Sequence, residues 1–416
     1  MGVKPVSTVQ QQKKFDTLWI LNLFGTAVGA GILFLPITAG LGGMWPLIII
    51  TLLVGPMIYL AHRGLARFVL ASAHPGSDIT EVAEEFFGRK VGIAITLLYF
   101  LAIYPILLIY GVSLTNTVES FIVHQLDLTA PPRIILSGIC VGAYVLIILI
   151  GEKTVLSFNE KLTYPLCAIL LGLSLYLVPH WNLAAFKYFP DTKGMLATLW
   201  AALPVVIFAF NHSPAISTFA VAQRKQYGDE AESHAARSLR ATAGILVSFV
   251  MFFVFSCVLS LTPEDLLQAE AQNISILSYL ANHFDNPIIA YFGPFIAFLA
   301  ISTSFFGHYL GAREGLNGLV LKARPNLPAH SSRRERGIAL FFFVTLWITA
   351  TANPSVLNLI EDLSGPVIAM ILFIMPMIAV ARVPAMRCYK GSVSNIFVTV
   401  LGCITITSLV LGLLGF

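Results

Sequence analysis

Seven consecutive residues, Gly25-Thr26-Ala27-Val28-Gly29-Ala30-Gly31, are of types that bind a ligand through main chain alone. Each glycine costs a helix roughly 1 kcal/mol relative to alanine, so this run favours a break. A helix restarting after the break presents unpaired N–H groups and the positive end of its dipole, which suits a carboxylate. The amides of Ala30 and Gly31 are the candidates for that role. The carbonyls of Gly25, Thr26, Ala27 and Val28, freed before the break, suit an ammonium group or a metal cation. A second interruption is Phe208-Ala209-Phe210-Asn211-His212-Ser213-Pro214, where the proline removes a donor and clashes with the preceding turn. Phe210, Asn211, His212 and Ser213 therefore become candidate ligand contacts.

Ala300-Ile301-Ser302-Thr303-Ser304 adds three hydroxyls in a row. Such residues commonly serve helix packing. Beside freed carbonyls they also make the hard oxygen shell that a cation such as Na⁺ prefers. His308 stands four residues beyond Ser304 on the same helical face, where it reads either as a proton carrier or as a hydrogen-bonded structural residue. Tyr104, beside Pro105, reads either as a hydroxyl donor to substrate or as a packed tyrosine. Glu361 and Asp362 are costly in a membrane unless solvated or paired, which makes them an outer gate or a wet helix end.

The elements that must position these residues are membrane spans. The chain is 57% hydrophobic, 11% charged, and has a mean hydropathy of +0.83. Soluble domains carry about 25% charged residues. Apolar runs long enough to cross about 30 Å of hydrocarbon recur at 17–39, 45–69, 91–123, 134–151, 155–179, 195–219, 241–261, 287–320, 338–352, 355–381 and 394–415. Eleven spans make one polytopic all-α domain over 1–416. With the N-terminus inside, all of the 25 Lys and Arg residues except Arg133, Lys187 and Lys193 fall in cytoplasmic segments. That positive-inside bias puts the C-terminus outside and explains the net charge of +4 by topology, with no nucleic-acid partner implied. The first apolar run continues past Ala30 through Ile32-Leu33-Phe34-Leu35, which favours an uncleaved span over a signal peptide. The five cysteines suggest neither a disulfide framework nor a metal site.

Two shorter helices are expected outside the spans. Asp78 caps Ile79–Phe87, and Thr262-Pro263-Glu264-Asp265 opens a helix on the outer side. The interrupted first and sixth spans occupy corresponding places if spans 1–5 (17–179) and 6–10 (195–381) are two repeats, with 394–415 as an extra helix. Matching interruptions in two halves point to a transporter site near the bilayer midplane. No HExxH, Walker loop or Gly-x-Ser-x-Gly elbow is present, so neither an enzyme nor a nucleotide-driven pump is indicated. A channel requires a polar stripe along several spans. A haem subunit requires paired histidines, for which His212 and His308 are the candidates.

The chain resembles the hydroxy/aromatic amino acid permease family, in particular its serine and threonine permeases, over nearly its whole length. The resemblance is carried by Gly25–Gly31, Asp78-Ile79-Thr80-Glu81-Val82, Phe210-Asn211-His212-Ser213-Pro214, Asn273–Phe284 and Gly307-His308-Tyr309-Leu310-Gly311. It implies a 5+5 inverted-repeat (LeuT-like) fold with broken helices 1 and 6 in the bacterial inner membrane. The implied activity is import of L-serine, with L-threonine or another small neutral or aromatic amino acid as alternatives. The substrate set implied is Thr26, Ala27, Gly29, Ala30, Gly31, Tyr104, Phe210, Asn211, His212 and Ser213. No cofactor is implied beyond a coupling ion, and the family implies H⁺. Ala300, Thr303 and Ser304 also match the Ala-x-x-Thr-Ser pattern of sodium symporters, and by that likeness they join the Gly25 and Val28 carbonyls in a Na⁺ site.

Overall fold

The computed structural model describes residues 9–150, 152–187, 189–284, 286–328 and 331–413. The chain begins as α1 (Val9–Ala27), bends by 58°, and continues as α2 (Ala30–Leu41). There follow α3 (Met44–Leu70), α4 (Ile79–Phe87), α5 (Arg89–His124), α6 (Arg133–Ile150) and α7 (Glu152–Leu177). The second half runs through α8 (Thr192–Ala209), α9 (Ser213–Tyr227), α10 (Ala231–Ser260), α11 (Pro263–Ala271), α12 (Ile276–His283), α13 (Pro287–Ala323) and α14 (Ser332–Ala352). It closes with α15 (Val356–Arg382) and α16 (Val393–Leu413). Among the described residues nine helices are long and apolar enough to cross a membrane, or ten with α1–α2 as one bent span. Of the eleven read from the sequence, the last corresponds to α16, whose apolar stretch Val393–Thr407 is shorter than the others among the described residues.

The long helices α5 and α13 lie against each other at the centre, and α1, α2 and α9 pack across α13. α3 seals the other side of α9 and α10, while α2 lies along α8. Both interrupted spans therefore contact α13 of the central pair.

Two boundaries differ from the hydropathy reading. The sixth span does not stop near residue 219: after its break it continues as helix to Tyr227 and ends at Gly228, whose φ of +59° is natural only to glycine. Hydropathy marks where lipid ends, whereas the helix continues through Gln223-Arg224-Lys225-Gln226, which are good helix formers. The tenth span is not uniform: α15 widens into π turns at Leu359–Ser364 and Met370–Ile374. Between them Gly365 lies so close to Pro204 that an added Cβ would sit 2.5 Å from the proline Cβ.

The short helices form as their caps dictate. Asp78 Oδ1 accepts from the Thr80 and Glu81 amides at 2.8 and 2.9 Å, and Glu81 returns a carboxylate to the Asp78 amide at 3.2 Å. α4 is fixed to the bundle where its Ile79 amide donates to Ser217 Oγ on α9 at 3.0 Å. Lys322 on α13 also pairs with Glu84. α11 carries the same reciprocal cap between Thr262 and Asp265. At the basic end of the bundle, Tyr227 donates its hydroxyl to Asp16 Oδ1 at 2.8 Å. This ties the end of α9 to the start of α1.

Candidate functional site

In the first break the Val28 amide makes the last bond of α1, to Phe24 O at 2.9 Å. Gly29 then extends (φ −148°, ψ −153°), and α2 restarts so that Ala30 and Gly31 head its first turn. First-turn amides lack intrahelical acceptors and point back into the gap. The glycines are required for approach. A Cβ on Gly29 would lie 2.4 Å from Ser304 Cβ and 2.9 Å from the Tyr110 hydroxyl. One on Gly31 would lie 2.5 Å from Ala209 Cα and 2.6 Å from the Phe208 ring. Gly25 faces Thr163 of α7 in the same way.

A short relay of hydroxyls closes on the break. Ser304 Oγ donates to Thr26 O at 2.8 Å, so the Tyr110 hydroxyl, 2.6 Å away, must donate to Ser304. Thr303 Oγ1 lies 3.1 Å from both Leu299 O and Ala300 O on its own helix. Ser302 is turned the other way, bonded to Phe298 O at 2.6 Å and to Tyr144 at 2.5 Å. The structure thus brings Thr26, Gly29 and Ser304 into one cluster, with Ala300 and Thr303 beside it on α13. Among the described residues no three His, Cys, Asp or Glu side chains gather to hold a metal ion.

The second break is built from side chains. The Asn211 amide ends α8 on Phe208 O at 3.2 Å, and Asn211 Oδ1 caps α9 by accepting from the Ser213 amide at 3.1 Å. Asn211 Nδ2 is buried with no partner. The His212 amide donates to Nε2 of His62, on α3, at 3.2 Å. The two imidazoles stack with centroids 3.5 Å apart and planes 7° from parallel. Phe210 and Phe208 close the break on the α8 side, and Phe208 lies 6.5 Å from the Tyr110 ring.

One sequence candidate does not join the two breaks. Tyr104 stacks against Phe100, Phe341 and Phe342, with centroids 4.9, 5.7 and 5.6 Å away, on the α14 side. Tyr110 occupies the position expected of it. Six residues turn a helix by about 240°, so the two tyrosines cannot share a face. His308 lies by Ser304, with Nδ1 2.9 Å from Ser304 O, and its ring meets Tyr110 edge-on at 5.4 Å. His62, Tyr110 and Thr163 went unread in the sequence because nothing in their own spans marks the level of the breaks. Glu361 accepts from Thr38 Oγ1 at 3.1 Å, which joins α15 to α2.

The match to known proteins is extensive. The model of the tryptophan/tyrosine permease family matches residues 16–411. The chain belongs to that family. It is 55% identical to the serine transporter SdaC of Escherichia coli over 405 residues, covering 95% of this chain and 94% of the relative. The Shigella flexneri serine transporter SdaC is 54% identical over the same length and coverage. Among solved structures, MhsT in complex with L-phenylalanine aligns with a TM-score of 0.61 at 15% identity, covering 99% of each chain. A manganese transporter of Eremococcus coleocola aligns with a TM-score of 0.64 at 15% identity, covering 100% of this chain and 90% of that one. At that identity these structures speak for the fold. This family member is a multi-pass, all-helical protein of the LeuT-like fold, with its first and sixth spans broken as the sequence indicates.

Proposed function

We propose that this permease imports L-serine across the bacterial cytoplasmic membrane by alternating access around the two breaks, with the basic end and the N-terminus inside. It acts as a secondary transporter, not an enzyme. The observation that carries the reading is the pairing of two facing helix breaks in a chain 55% identical to a serine transporter along almost its whole length. The amides of Ala30 and Gly31 receive the carboxylate, and freed carbonyls of the Gly25–Val28 segment receive the ammonium group. Asn211 Nδ2, buried without a partner, donates to the substrate's polar end. Phe208 and Tyr110, closely set beside Gly31 and Gly29, would admit a small side chain more readily than a bulky one. No Asp, Glu, Lys or Arg lies in 17–41 or 194–223, which fits a zwitterion without a further charge.

Transport is driven by symport of a cation, and the family favours a proton. Sodium is the second reading, supported by the contact of Ser304 Oγ with Thr26 O at the first break and by the hydroxyl of Thr303 on the same helix. The test is uptake of labelled serine into proteoliposomes under separately imposed H⁺ and Na⁺ gradients, with phenylalanine and tryptophan as competitors. Serine accumulation driven by one gradient supports the reading. Absence of serine exchange, or stronger transport of the aromatic competitors, overturns it.

A further inference from the structure

His62 and His212 form a buried pair whose bonding fixes both tautomers. His62 Nε2 accepts the His212 amide and is therefore bare, so its Nδ1 carries the hydrogen and donates to Ile58 O at 2.9 Å. His212 Nδ1 faces Phe210 O at 3.1 Å and carries its own hydrogen. That leaves His212 Nε2 as a bare lone pair, buried and without a donor. A buried acceptor without a donor calls for an explanation. A structural role accounts for His62, which satisfies an amide at a helix break. It does not account for the free nitrogen of His212.

We propose that the stacked His62–His212 pair is the proton-binding site of this transporter and takes up one proton at His212 Nε2 in each cycle. The inference rests on the transport reading above and assigns its coupling ion to two side chains. The proton adds to the free lone pair of His212, and no other bond changes. The resulting imidazolium stacks on the neutral His62 ring, and a second proton is opposed by the first charge at that separation. In the present arrangement the new Nε2–H would face no acceptor, and a buried charge without one is strongly disfavoured. The protonated pair therefore belongs to a different arrangement of the α8–α9 break, one in which Nε2–H reaches water or the substrate carboxylate. Proton binding and helix rearrangement are in this way the same event.

α9 packs against α1, α3, α10 and α13. Besides His62, the titratable side chains on these helices are Lys13, Lys14 and Asp16 on α1, Tyr59, Arg63 and Arg67 on α3, Glu232, His234, Arg237, Arg240 and Cys257 on α10, and Tyr291, His308, Tyr309, Arg313, Glu314 and Lys322 on α13. Arg63 is turned to the Tyr59 ring and hydroxyl. α1 and α2 hold no charged residue between 17 and 41, and Tyr110 on α5 donates to Ser304. The ionisable ring in direct contact with His212 is His62, stacked on it at 3.5 Å.

The test uses the purified full-length protein in a weakly buffered solution with a pH indicator, and labelled serine exchange in proteoliposomes. Adding serine to the unaltered protein should move protons in step with occupancy. In His212→Gln the protons moved per serine bound should fall about tenfold or more, and accumulation driven by a pH gradient should fall with them. In His62→Gln, which can still accept the His212 amide, proton movement should persist with its pH midpoint shifted by about a unit. Unaltered protein that exchanges serine yet moves no proton overturns the proposal and leaves the serine reading standing. So does loss of proton movement in His308→Gln but not in His212→Gln. Failure of the unaltered protein to exchange serine removes the serine reading itself.

Discussion

The two breaks solve one problem in opposite ways. At Val28–Gly29 the chain is opened by removing side chains, and the freed main chain meets groups from other helices, chiefly Ser304 and Tyr110. At Phe210–His212 the chain is opened while its side chains are kept, and Asn211 and His212 satisfy much of the local main chain themselves or through His62. A break lined by backbone presents fixed dipoles, which suit the charged ends shared by every amino acid. A break lined by side chains presents groups that discriminate and titrate. On the proposed reading, the first break would serve general recognition and the second specificity and proton binding.

The comparison predicts that added bulk damages the first break most. Gly29→Ala and Gly31→Ala each force a Cβ to within about 2.5 Å of Ser304 or of Ala209 main chain. Overpacking of this kind costs about 1–3 kcal/mol, so initial serine uptake should fall tenfold to a hundredfold. Gly31→Ala should be the worse, because its obstacle is backbone that cannot turn aside. If both variants transport normally, the glycines are not approach points.

At the second break chemistry should matter more than volume. Asn211→Ala removes the Ser213 cap, about 1 kcal/mol, together with a donor to substrate. Its KM for serine should rise about fivefold to tenfold. Asn211→Asp keeps the cap but replaces the donor with a charge, so it should rescue thermal stability while leaving KM high. Equal behaviour of the two variants would reduce Asn211 to a cap.

Smaller effects should come from the hydroxyl relay. Tyr110→Phe and Ser304→Ala each delete a buried hydrogen bond with a net worth of about 0.5–1.5 kcal/mol. The double variant should cost less than the sum of the singles, read as KM in a double-mutant cycle. Additive effects would mean that the relay does not act as a unit.

The smallest effect lies outside the membrane, at the cap of α11. Burial alone would raise the Asp265 pKa, but hydrogen bonds from Thr262 and Tyr279 outweigh it and hold the carboxyl below its ordinary value. A depressed folded pKa contributes stability that is complete above the unfolded value of about 3.9 and is lost as pH falls through the folded one. Amide exchange protection in α11 and α12 should therefore hold from neutral pH to about pH 4 and fall only below it. Asp265→Asn should lower that protection modestly at neutral pH.

Much of this was legible in the sequence. Hydropathy located most of the spans though not the end of the sixth, and Gly25–Gly31 and Asn211–Pro214 placed both breaks, because a broken span in lipid requires unusual residues at the break itself. Caps at Asp78 and Thr262 were equally local and equally readable. What escaped was the third dimension. His62, Tyr110 and Thr163 reach the breaks from spans whose own sequences are unremarkable helix, and only helix rotation and depth select them. Tyr104 shows the same limit: its sequence reads either as a substrate donor or as a packed tyrosine, and only the fold shows it packed on the α14 side while Tyr110, six residues on, meets Ser304.

The contact between Tyr227 and Asp16 gives the second break mechanical reach. α9 has 15 residues, which makes it a rigid arm of about 22 Å with the break at one end and Tyr227 at the other. A tilt of about 10° at Asn211–His212 carries the far end through about 4 Å by that geometry. That displacement exceeds the 2.8 Å bond joining Tyr227 to Asp16 and would part them. A small tilt at the second break would thus be magnified along α9 at the contact that ties it to α1 on the basic end.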